Sequence, residues 1–333
     1  MRAYVLTSFE TPPEHREVPD PQPGPGEIRI RVHATSVNPV DELVRRGFFR
    51  IAQPYRFPAV YGRDVAGVVD RIGPGVTKLA VGEEVFGFVK RDYIGDGTFA
   101  DYVVVPEDMF VARRPQSISM LEAGTLGLAG ITAWECVEAV LGYGDDVVLV
   151  NGASGGLGTF AVQIAKARGA TVIATARSED GLDYVRGLGA DVAIDTRSGD
   201  LIDLVRQVAP DGVTGFVDLV KRADPPIMGE DETDAQREFA RLCRGVVAPG
   251  GASTSVTNGG QPHLMGDLRY LNVHSTPAPS SLTRLAELID RGDVRPVVAA
   301  AYQFEEIGEA FARLNAHGAR GKIAVSVAEE DTK

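Results

Sequence analysis

The sequence contains little cysteine, and this limits the kinds of site that it can form. Its 333 residues include two cysteines, Cys136 and Cys243. Two thiols cannot form a four-cysteine zinc site, and they give no indication of a disulfide framework. We expect both thiols to be reduced and buried, because free cysteine behaves as a small hydrophobic residue.

Long apolar runs are also absent. No segment approaches the roughly 20 apolar residues that a transmembrane helix requires. The chain opens with Met1 and a strand-like run, without the apolar core of a signal peptide. We therefore predict a cytoplasmic protein with no membrane partner.

Basic charge is in short supply as well. The chain has 34 lysines and arginines against 46 aspartates and glutamates, for a net charge of −12. Proteins that bind nucleic acids carry basic patches, and anionic membranes attract them. The basic residues here are scattered, so we predict a small-molecule partner and no nucleic acid.

What the sequence does contain is two kinds of pattern. Residues 1–118 have short strand-like runs separated by glycine and proline, and residues 28–32 alternate with the period of a half-buried strand. From Ser119 onward, strand-like and helix-like runs alternate, which is typical of a parallel sheet with helices on both faces. A helix over 119–141 opens on a possible capping box of Ser119 and Glu122.

The most informative segment is a strand, a glycine turn and a helix at residues 147–168. The turn has the sequence Asn151-Gly152-Ala153-Ser154-Gly155-Gly156-Leu157-Gly158. Backbone N–H groups at a helix N-terminus bind a pyrophosphate, and glycine allows its close approach. Ala153 replaces the first glycine of the usual fingerprint, but the flanking elements still predict dinucleotide binding through residues 153–157.

The end of the next strand indicates which dinucleotide is bound. Proteins that bind NAD place a carboxylate about 20 residues after the turn, where it holds the ribose hydroxyls. This chain has Thr175 and Arg177 there and no carboxylate. A guanidinium pairs with a 2′-phosphate, so we predict NADPH. The alternative is that Arg177 is an ordinary solvated surface charge.

An ordered set of motifs resembles the medium-chain dehydrogenase/reductase superfamily, and within it the zinc-free quinone oxidoreductase (zeta-crystallin-like) group. The motifs are Pro23-Gly24-Pro25-Gly26-Glu27, Ser36-Val37-Asn38-Pro39-Val40-Asp41, Gly62-Arg63-Asp64-Val65-Ala66-Gly67, Gly73-Pro74-Gly75-Val76, Val81-Gly82-Glu83-Glu84-Val85, Gly130-Ile131-Thr132-Ala133-Trp134, residues 151–158 and Leu188-Gly189-Ala190-Asp191. The resemblance implies an α/β fold in which a doubly wound Rossmann sheet is inserted into a GroES-like β-rich catalytic domain. The expected domains are residues 1–120 with 293–333, and the NADPH-binding residues 121–292.

The resemblance also implies roles for individual residues. Asn38, Arg63 and Leu128 occupy the positions of the catalytic zinc ligands of zinc alcohol dehydrogenases, and this set does not suit zinc. We therefore expect a metal-free enzyme. Four residues, Thr132, Val220, Val256 and Thr257, resemble positions that line the nicotinamide and its ribose, and Lys322 resembles one that faces the cofactor.

The departures from the family concern other positions. Leu43 and Phe49 stand where relatives often have tyrosine, and Gly181 and Thr196 replace a lysine and a tyrosine that commonly hold the adenosine phosphate. Arg177 is expected to compensate for the second pair.

Hydride transfer builds negative charge on the acceptor oxygen, so a hydrogen-bond donor is expected beside it. Asn38 is our first candidate and Arg63 the second. Ordering of its own turn explains Asn38 equally well, and a salt bridge explains Arg63. Four aromatic residues, Phe48, Phe49, Tyr55 and Tyr93, are candidates for the acceptor pocket, although the domain core explains aromatic residues there equally well.

We therefore predict an NADPH-dependent reductase of quinones or α,β-unsaturated carbonyls. Two alternatives stay open: an enoyl-thioester reductase of lipid or polyketide synthesis, and a non-catalytic NADPH-binding protein. Relatives are often dimeric through the last sheet strand, so a homodimer is expected through residues 271–275, from Leu271 to Ser275.

Overall fold

The computed structural model describes residues 1–108, 111–142, 144–222, 233–257, 259–275, 279–316 and 318–328. The chain divides into two compact units. The β-rich unit contains residues 1–131, 277–292 and 296–333, and the parallel-sheet unit contains residues 132–276 and 293–295.

The strands, in chain order, are β1 (Arg2–Leu6), β2 (Glu14–Glu17), β3 (Glu27–Ser36), β4 (Tyr55–Val60), β5 (Asp64–Ile72), β6 (Glu84–Phe88), β7 (Ile94–Asp96), β8 (Tyr102–Pro106), β9 (Val111–Arg113), β10 (Val147–Asn151), β11 (Thr171–Ala176), β12 (Val192–Asp195), β13 (Val213–Asp218), β14 (Val247–Ser255), β15 (Arg269–Asn272), β16 (Val298–Gln303) and β17 (Lys322–Ser326). The helices are α1 (Pro39–Arg45), α2 (Met120–Ala123), α3 (Gly127–Val140), α4 (Gly156–Ala167), α5 (Glu179–Gly187), α6 (Leu201–Val208), α7 (Asp234–Val246), α8 (Pro262–Met265), α9 (Pro279–Asp290) and α10 (Ile307–Asn315).

The β-rich unit has two sheets. The larger has the order β16-β17-β3-β5-β6-β9, with β8 also paired to β3, and the smaller has the order β2-β1-β4-β7. Strand β3 pairs antiparallel with both β5 and β8. Its alternate residues Ile28, Ile30 and Val32 are fully buried in one core cluster, as the period of two predicts.

The parallel-sheet unit contains six parallel strands in the order β12-β11-β10-β13-β14-β15. This is the Rossmann order, in which the direction of winding reverses between the first strand, β10, and the fourth, β13. Ligands bind beyond the carboxyl ends of the strands at this reversal. The predicted α/β fold class is confirmed, and the last predicted strand is β15.

Two local features position side chains in the β-rich unit. Asn38 precedes α1 and forms a capping box with Asp41, and Pro39 occupies the first helical position. Gly62, just before β5, has φ of +94°, and a Cβ there would lie 2.8 Å from the ring of Phe99. Only glycine fits this left-handed, crowded position, which fixes the backbone that carries the following two residues.

Some elements differ from the sequence prediction. The expected helix at 119–141 is broken into α2 and α3, although the capping box of Ser119 and Glu122 is present. Strand β4 contains Pro58 and was not predicted, because proline usually excludes a ladder residue. Its residues Ala59 and Val60 pair with Leu6 and Val5 of β1, and its pairing with β7 has a register shift between Tyr55 and Val60, so the ladders avoid the proline.

The polar, proline-containing segment 224–233, whose composition predicts a surface loop, falls almost entirely outside the described residues. Within the described part of the chain, no helix has the length and apolar character needed to span a bilayer.

Candidate functional site

Hydrogen bonds from side chains of β10, β11 and β13 hold the glycine turn that follows β10. Gly152 has φ of +83°, and its N–H donates to Thr175 Oγ1 at 2.9 Å. The Thr175 hydroxyl donates in turn to Asn151 Oδ1 at 2.8 Å, and Asn151 Nδ2 donates to Asp218 Oδ1 at 2.9 Å. These three polar side chains are buried. Thr175, predicted to contact the cofactor, therefore fixes the conformation of the turn.

Two glycines in this turn have different surroundings. A Cβ on Gly158 would lie 2.5 Å from Gly152 O and 2.6 Å from the Ala153 backbone, so α4 can pack on the turn only if this residue is glycine. Among the described residues, a Cβ on Gly155 would meet one atom, Gly152 O, at 3.5 Å. This part of the chain therefore leaves space beside Gly155, as close approach of a pyrophosphate requires.

Helix α4 begins immediately after this space. Its N-cap is Gly155, and no described side chain caps its first N–H groups. Ser154, Gly156 and Leu157 are partly exposed and Ala153 is buried. The helix N-terminus thus presents backbone donors and the positive end of the helix dipole, which together favour an anion.

Arg177 lies one residue beyond the carboxyl end of β11 and is exposed. It makes no hydrogen bond or ion pair with another described residue. Arg197, beyond the neighbouring β12, is instead paired with Asp195 at 2.6 Å. Of these two arginines, Arg177 has its guanidinium available for a ligand.

The other cofactor candidates of this unit lie at strand ends or in α3. Val220 follows β13, and its Cγ2 would lie 3.2 Å from a Cβ on Gly152, so it borders the glycine turn. Val256 and Thr257 follow β14 and are partly exposed. Thr132 is buried, and its hydroxyl is hydrogen-bonded to that of Ser275.

The β-rich unit contains a buried charged cluster centred on Asp64. Its Oδ2 accepts from Asn38 Nδ2 at 2.9 Å and from the Ser36 hydroxyl, and its Oδ1 accepts from Leu128 N–H at 2.5 Å. Lys322 Nζ donates to Asn38 Oδ1 at 2.5 Å and lies 3.5 Å from Asp64 Oδ2.

The cluster holds the Asn38 amide at both ends. Asn38, Asp64 and Lys322 are buried, and each is paired within the cluster. Asn38 is therefore oriented by Asp64 and Lys322, and the Lys322 ammonium is committed to this unit's own residues.

Asp41 and Arg63 lie in the wall of one pocket of this unit. Asp41 is fully buried, and burial raises its pKa to about 7, while the nearby Arg63 opposes the rise. Burial also lowers the pKa of Arg63, and Asp41 opposes that change. No described carboxylate forms an ion pair with Arg63 within 4.0 Å, so the salt bridge considered for it is not formed.

The four aromatic candidates separate into two groups. Phe49 and Tyr55 pack against the core, the Tyr55 hydroxyl donates to Val44 O at 2.9 Å, and Phe48 and Phe49 meet edge to face. Burial raises the pKa of Tyr55 to about 12. Only Tyr93 lines the pocket with Arg63, and its hydroxyl donates to Asp96. Burial, and then this bond, raises the Tyr93 pKa.

Sequence reasoning named neither Asp41 nor Asp64 as a functional residue, although both lie in quoted motifs. A signal was present for each. Asp64 is a carboxylate at the start of the apolar run Val65-Ala66-Gly67-Val68-Val69, and a buried charge at such a position requires partners. Asp41 is three residues from Asn38, the spacing of a capping box.

The residues at the zinc-ligand positions make other contacts. Asn38 and the Leu128 backbone both donate to Asp64, and Arg63 contributes a cation. These groups do not form a zinc site, because zinc requires thiolate, imidazole or carboxylate ligands. Among the described residues, no group of three or more His, Cys, Asp or Glu could hold a metal ion.

Cys136 and Cys243 are buried, and burial raises the pKa of each to about 12.

Comparison with known proteins identifies the family. Residues 24–116 match the alcohol dehydrogenase GroES-like domain, and residues 188–325 match the family described as zinc-binding dehydrogenase. The human mitochondrial NAD(P)H oxidoreductase RTN4IP1 is 32% identical over 91% of this chain and 82% of its own. The chloroplastic NADPH-dependent alkenal/one oxidoreductase of Arabidopsis thaliana is 32% identical over 90% of this chain and 72% of its own.

Similar solved structures support the same fold. An alcohol dehydrogenase superfamily protein from Novosphingobium aromaticivorans has a TM-score of 0.83 and 29% identity, covering 98% of this chain and all of that one. The predicted combination of a GroES-like β-rich domain and a Rossmann sheet is therefore confirmed. The chain is an oxidoreductase that belongs to the medium-chain dehydrogenase/reductase superfamily, in its quinone oxidoreductase-like group.

Proposed function

We propose that this protein transfers a hydride from NADPH to a quinone or an α,β-unsaturated carbonyl without a metal ion. The observation that carries the proposal is the turn from Asn151 to Gly158. It combines an uncapped helix N-terminus with open space beside Gly155, at the winding reversal of a parallel sheet. A dinucleotide pyrophosphate fits this arrangement.

The proposed cofactor contacts begin at this turn. The backbone of Ala153, Ser154, Gly155, Gly156 and Leu157 would hold the pyrophosphate, and Thr175 would keep the turn in place. We propose that Thr132, Val220, Val256 and Thr257 line the nicotinamide end. Lys322 is better assigned as a positioning residue, because its ammonium is bonded to Asn38.

NADPH is preferred over NADH because of Arg177. Its guanidinium is exposed and unpaired among the described residues, at the strand end where the adenosine ribose is expected. A carboxylate at this place would repel a 2′-phosphate, whereas a guanidinium pairs with it. The Arabidopsis relative is named as NADPH-dependent, which supports the same choice.

The acceptor class follows from the reaction and from the relatives. Bound NADPH supplies a hydride to the acceptor, which leaves negative charge on a carbonyl oxygen. Between the two predicted donors, Arg63 is favoured for this oxygen because the Asn38 amide is already held at both ends. Relatives named as alkenal/one and quinone oxidoreductases support enones and quinones.

Further parts of the proposal concern organisation. We propose that residues 1–120 and 293–333 form the catalytic domain and residues 121–292 the NADPH-binding domain. A homodimer would form by pairing of residues 271–275, where Leu271 is 50% exposed on β15, the edge strand of its sheet. The acidic chain is proposed to act in the cytoplasm on a small molecule, with no nucleic-acid partner.

The test is NADPH oxidation, followed at 340 nm, with a panel of quinones, enones and crotonyl thioester. We expect turnover with quinones or enones. Activity with the thioester alone would assign the protein as an enoyl-thioester reductase. Binding of NADPH without turnover of any acceptor would leave the non-catalytic alternative. Absence of nicotinamide nucleotide binding by calorimetry would overturn the whole proposal.

A variant tests the cofactor preference. Arg177→Ala should raise the KM for NADPH about tenfold, because a charge-assisted hydrogen bond is worth about 1.5 kcal/mol or more, and should leave the KM for NADH unchanged. Arg186→Ala is the matched control, because Arg186 is an exposed arginine of α5 that is paired with Asp183. Equal effects of Arg177→Ala on both cofactors would contradict the assignment.

A further inference from the structure

The pocket of the β-rich unit is more polar than a simple quinone requires. Its wall includes Asp41, Gln53, Arg63, Arg91 and Tyr93. A site for an unsubstituted quinone or enone would be mainly apolar, with one or two polar groups for orientation. The polar groups in this wall therefore indicate which hydrogen-bonding groups the ligand carries.

Most of these polar groups already have partners. The Tyr93 hydroxyl donates to Asp96, Arg91 Nη2 donates to Val104 O at 2.6 Å, and Gln53 Nε2 donates to Arg91 O at 3.1 Å. Four buried atoms in this wall have no hydrogen-bond partner among the described residues: Asp41 Oδ1, Arg63 Nε, Arg91 Nε and the hydroxyl oxygen of Tyr61. The Arg91 guanidinium is bonded elsewhere through Nη2, whereas the Arg63 side chain makes no hydrogen bond with a described residue, and Asp41 is the carboxylate among the four.

The orphaned oxygen of Asp41 is held in a fixed place. Its other oxygen, Oδ2, accepts from Asn38 N–H at 2.8 Å, which closes the capping box of α1. The side chain cannot turn toward another partner without uncapping the helix. A buried acceptor left unpaired costs about 1–3 kcal/mol, and more when it is charged.

The position of Arg63 is restrained through its backbone. Its carbonyl accepts from Val89 N–H at 2.7 Å, and it lies between the left-handed Gly62 and the anchored Asp64. The guanidinium requires an acceptor, since it is always a donor. The wall of one pocket thus offers a donor at Arg63 and an acceptor at Asp41, both on restrained segments.

We infer that the pocket binds acceptors in which a hydroxyl group is adjacent to the carbonyl that is reduced or polarised. The carbonyl oxygen accepts from Arg63, and the neighbouring hydroxyl donates to Asp41 Oδ1. An α-hydroxy enone is the simplest member of this class. The inference rests on the proposed function, since it specifies the acceptor of that same reaction.

The electrostatics of Asp41 agree with this assignment. Burial raises its pKa, the like charge of Asp64 adds to the rise, and Arg63, the Asn38 N–H and Lys322 oppose it. The result is a pKa of about 7, so both protonation states are populated near neutral pH. Either state retains an oxygen lone pair that a hydroxyl can donate to.

The first experiment compares two enones that differ in one hydroxyl group, methyl vinyl ketone and hydroxymethyl vinyl ketone. In each, the hydride adds to the terminal alkene carbon, a proton adds to the carbon beside the carbonyl, and NADPH becomes NADP⁺. The wild-type kcat/KM should be at least about tenfold higher for the hydroxylated enone, since unmatched buried polar groups penalise the analogue that lacks the hydroxyl.

The variant Asp41→Asn sharpens this comparison. Its amide oxygen can still cap α1, but an NH₂ group replaces the orphaned oxygen. The ratio of kcat/KM for the hydroxylated enone to kcat/KM for methyl vinyl ketone should fall to about twofold or less. Glu122→Gln is the matched control, because Glu122 forms the capping box of α2 and does not line the pocket.

A binding measurement separates failure of this inference from failure of the reductase proposal. By ligand-observed NMR, 1-hydroxy-2-butanone should bind at least about tenfold more tightly than 2-butanone, with the difference lost in Asp41→Asn. Turnover of both enones at equal efficiency, or equal binding of the two ketones, would overturn the inference and leave the reductase intact. Selective binding of the hydroxy ketone without turnover would support the pocket and count against the reductase.

Discussion

The glycine turn of the parallel-sheet unit and the charged cluster of the β-rich unit are built in opposite ways. Among the described residues, the turn offers backbone N–H groups and open space at Gly155, and the exposed cation Arg177 follows the neighbouring strand. The cluster is made of buried side chains, in which Asn38, Asp64 and Lys322 satisfy one another. The groups of the turn can bind a ligand, whereas most polar groups of the cluster are already hydrogen-bonded to one another.

This difference predicts which property a substitution will change in each region. Backbone donors do not depend on residue type, so the turn tolerates Ala153 in place of the usual glycine, provided that space is kept where a ligand or strand approaches. Buried charges depend on every partner, because loss of one leaves the other uncompensated. Changes in the cluster should therefore reduce stability, and changes in the turn should reduce cofactor binding.

The largest effect is expected for Lys322→Met. It leaves the buried Asp64 without its cation, so the free energy of unfolding should fall by about 3–5 kcal/mol. Affinity for NADPH should stay within about twofold, because the Lys322 ammonium is bonded within its own unit. Urea unfolding and calorimetric titration would measure the two quantities.

Lys166→Met is the control for this variant. Lys166 pairs with Asp191 on a partly exposed surface, and its loss should cost less than about 1 kcal/mol. A large loss of NADPH affinity in Lys322→Met at unchanged stability would reverse our assignment and make Lys322 a cofactor contact.

The second prediction concerns pH and Asp41. Its pKa is raised from 3.8 to about 7, so the folded state holds the proton more tightly than the unfolded state. Its contribution to stability is therefore fully present below pH about 4 and is lost as the pH rises toward 7. At 1.36 kcal/mol per pKa unit, the loss amounts to at most about 4 kcal/mol.

Asp41→Asn removes this titration. The stability of the variant relative to the wild type should therefore increase between pH about 4 and 8, by up to about 4 kcal/mol. Urea unfolding of both proteins at several pH values would measure the difference. A difference that stays constant across this range would show that Asp41 has an ordinary pKa.

The smallest effects on stability are expected in the turn, where two alanine variants separate packing from binding. Gly158→Ala places a Cβ 2.5 Å from Gly152 O and should cost about 1–3 kcal/mol of stability. In Gly155→Ala, the nearest atom that the new Cβ meets among the described residues is Gly152 O at 3.5 Å, and the φ of −79° suits alanine. It should change stability by less than about 1 kcal/mol but weaken NADPH binding at least tenfold.

Thermal unfolding and fluorescence titration with NADPH would check this pair. Normal NADPH affinity in Gly155→Ala would count against a pyrophosphate at the turn. An unchanged melting temperature in Gly158→Ala would mean that α4 can move away from the turn.

The cofactor turn could be predicted from the sequence because its determinants are local. A strand, a glycine turn and a helix follow one another within residues 147–168. The spacing of the glycines predicts where a ligand or a strand approaches the backbone. Arg177 follows the next strand and was found in the same way. The cluster could not be predicted, because Asn38, Asp64 and Lys322 are 26 to 284 positions apart in their pairings.

The hydrogen-bond partners of single residues within these regions required the structure. Thr175, predicted to contact the cofactor, is bonded to Asn151 and Gly152. Tyr55, predicted for the acceptor pocket, has its hydroxyl bonded to the backbone. Hydrogen-bond partners from distant strands decide such assignments, and a linear pattern does not contain them.

By itself, the sequence determined the family, the alternating fold of the second half and the place of the nucleotide turn, because periodicity, glycine and local order along the chain suffice for these. Tertiary structure alone decided which polar groups are satisfied and which are left over. Burial at Asp41 and Arg63 arises from strands and helices far apart in sequence, and only their packing removes water from both groups and leaves one acceptor and one donor unpaired.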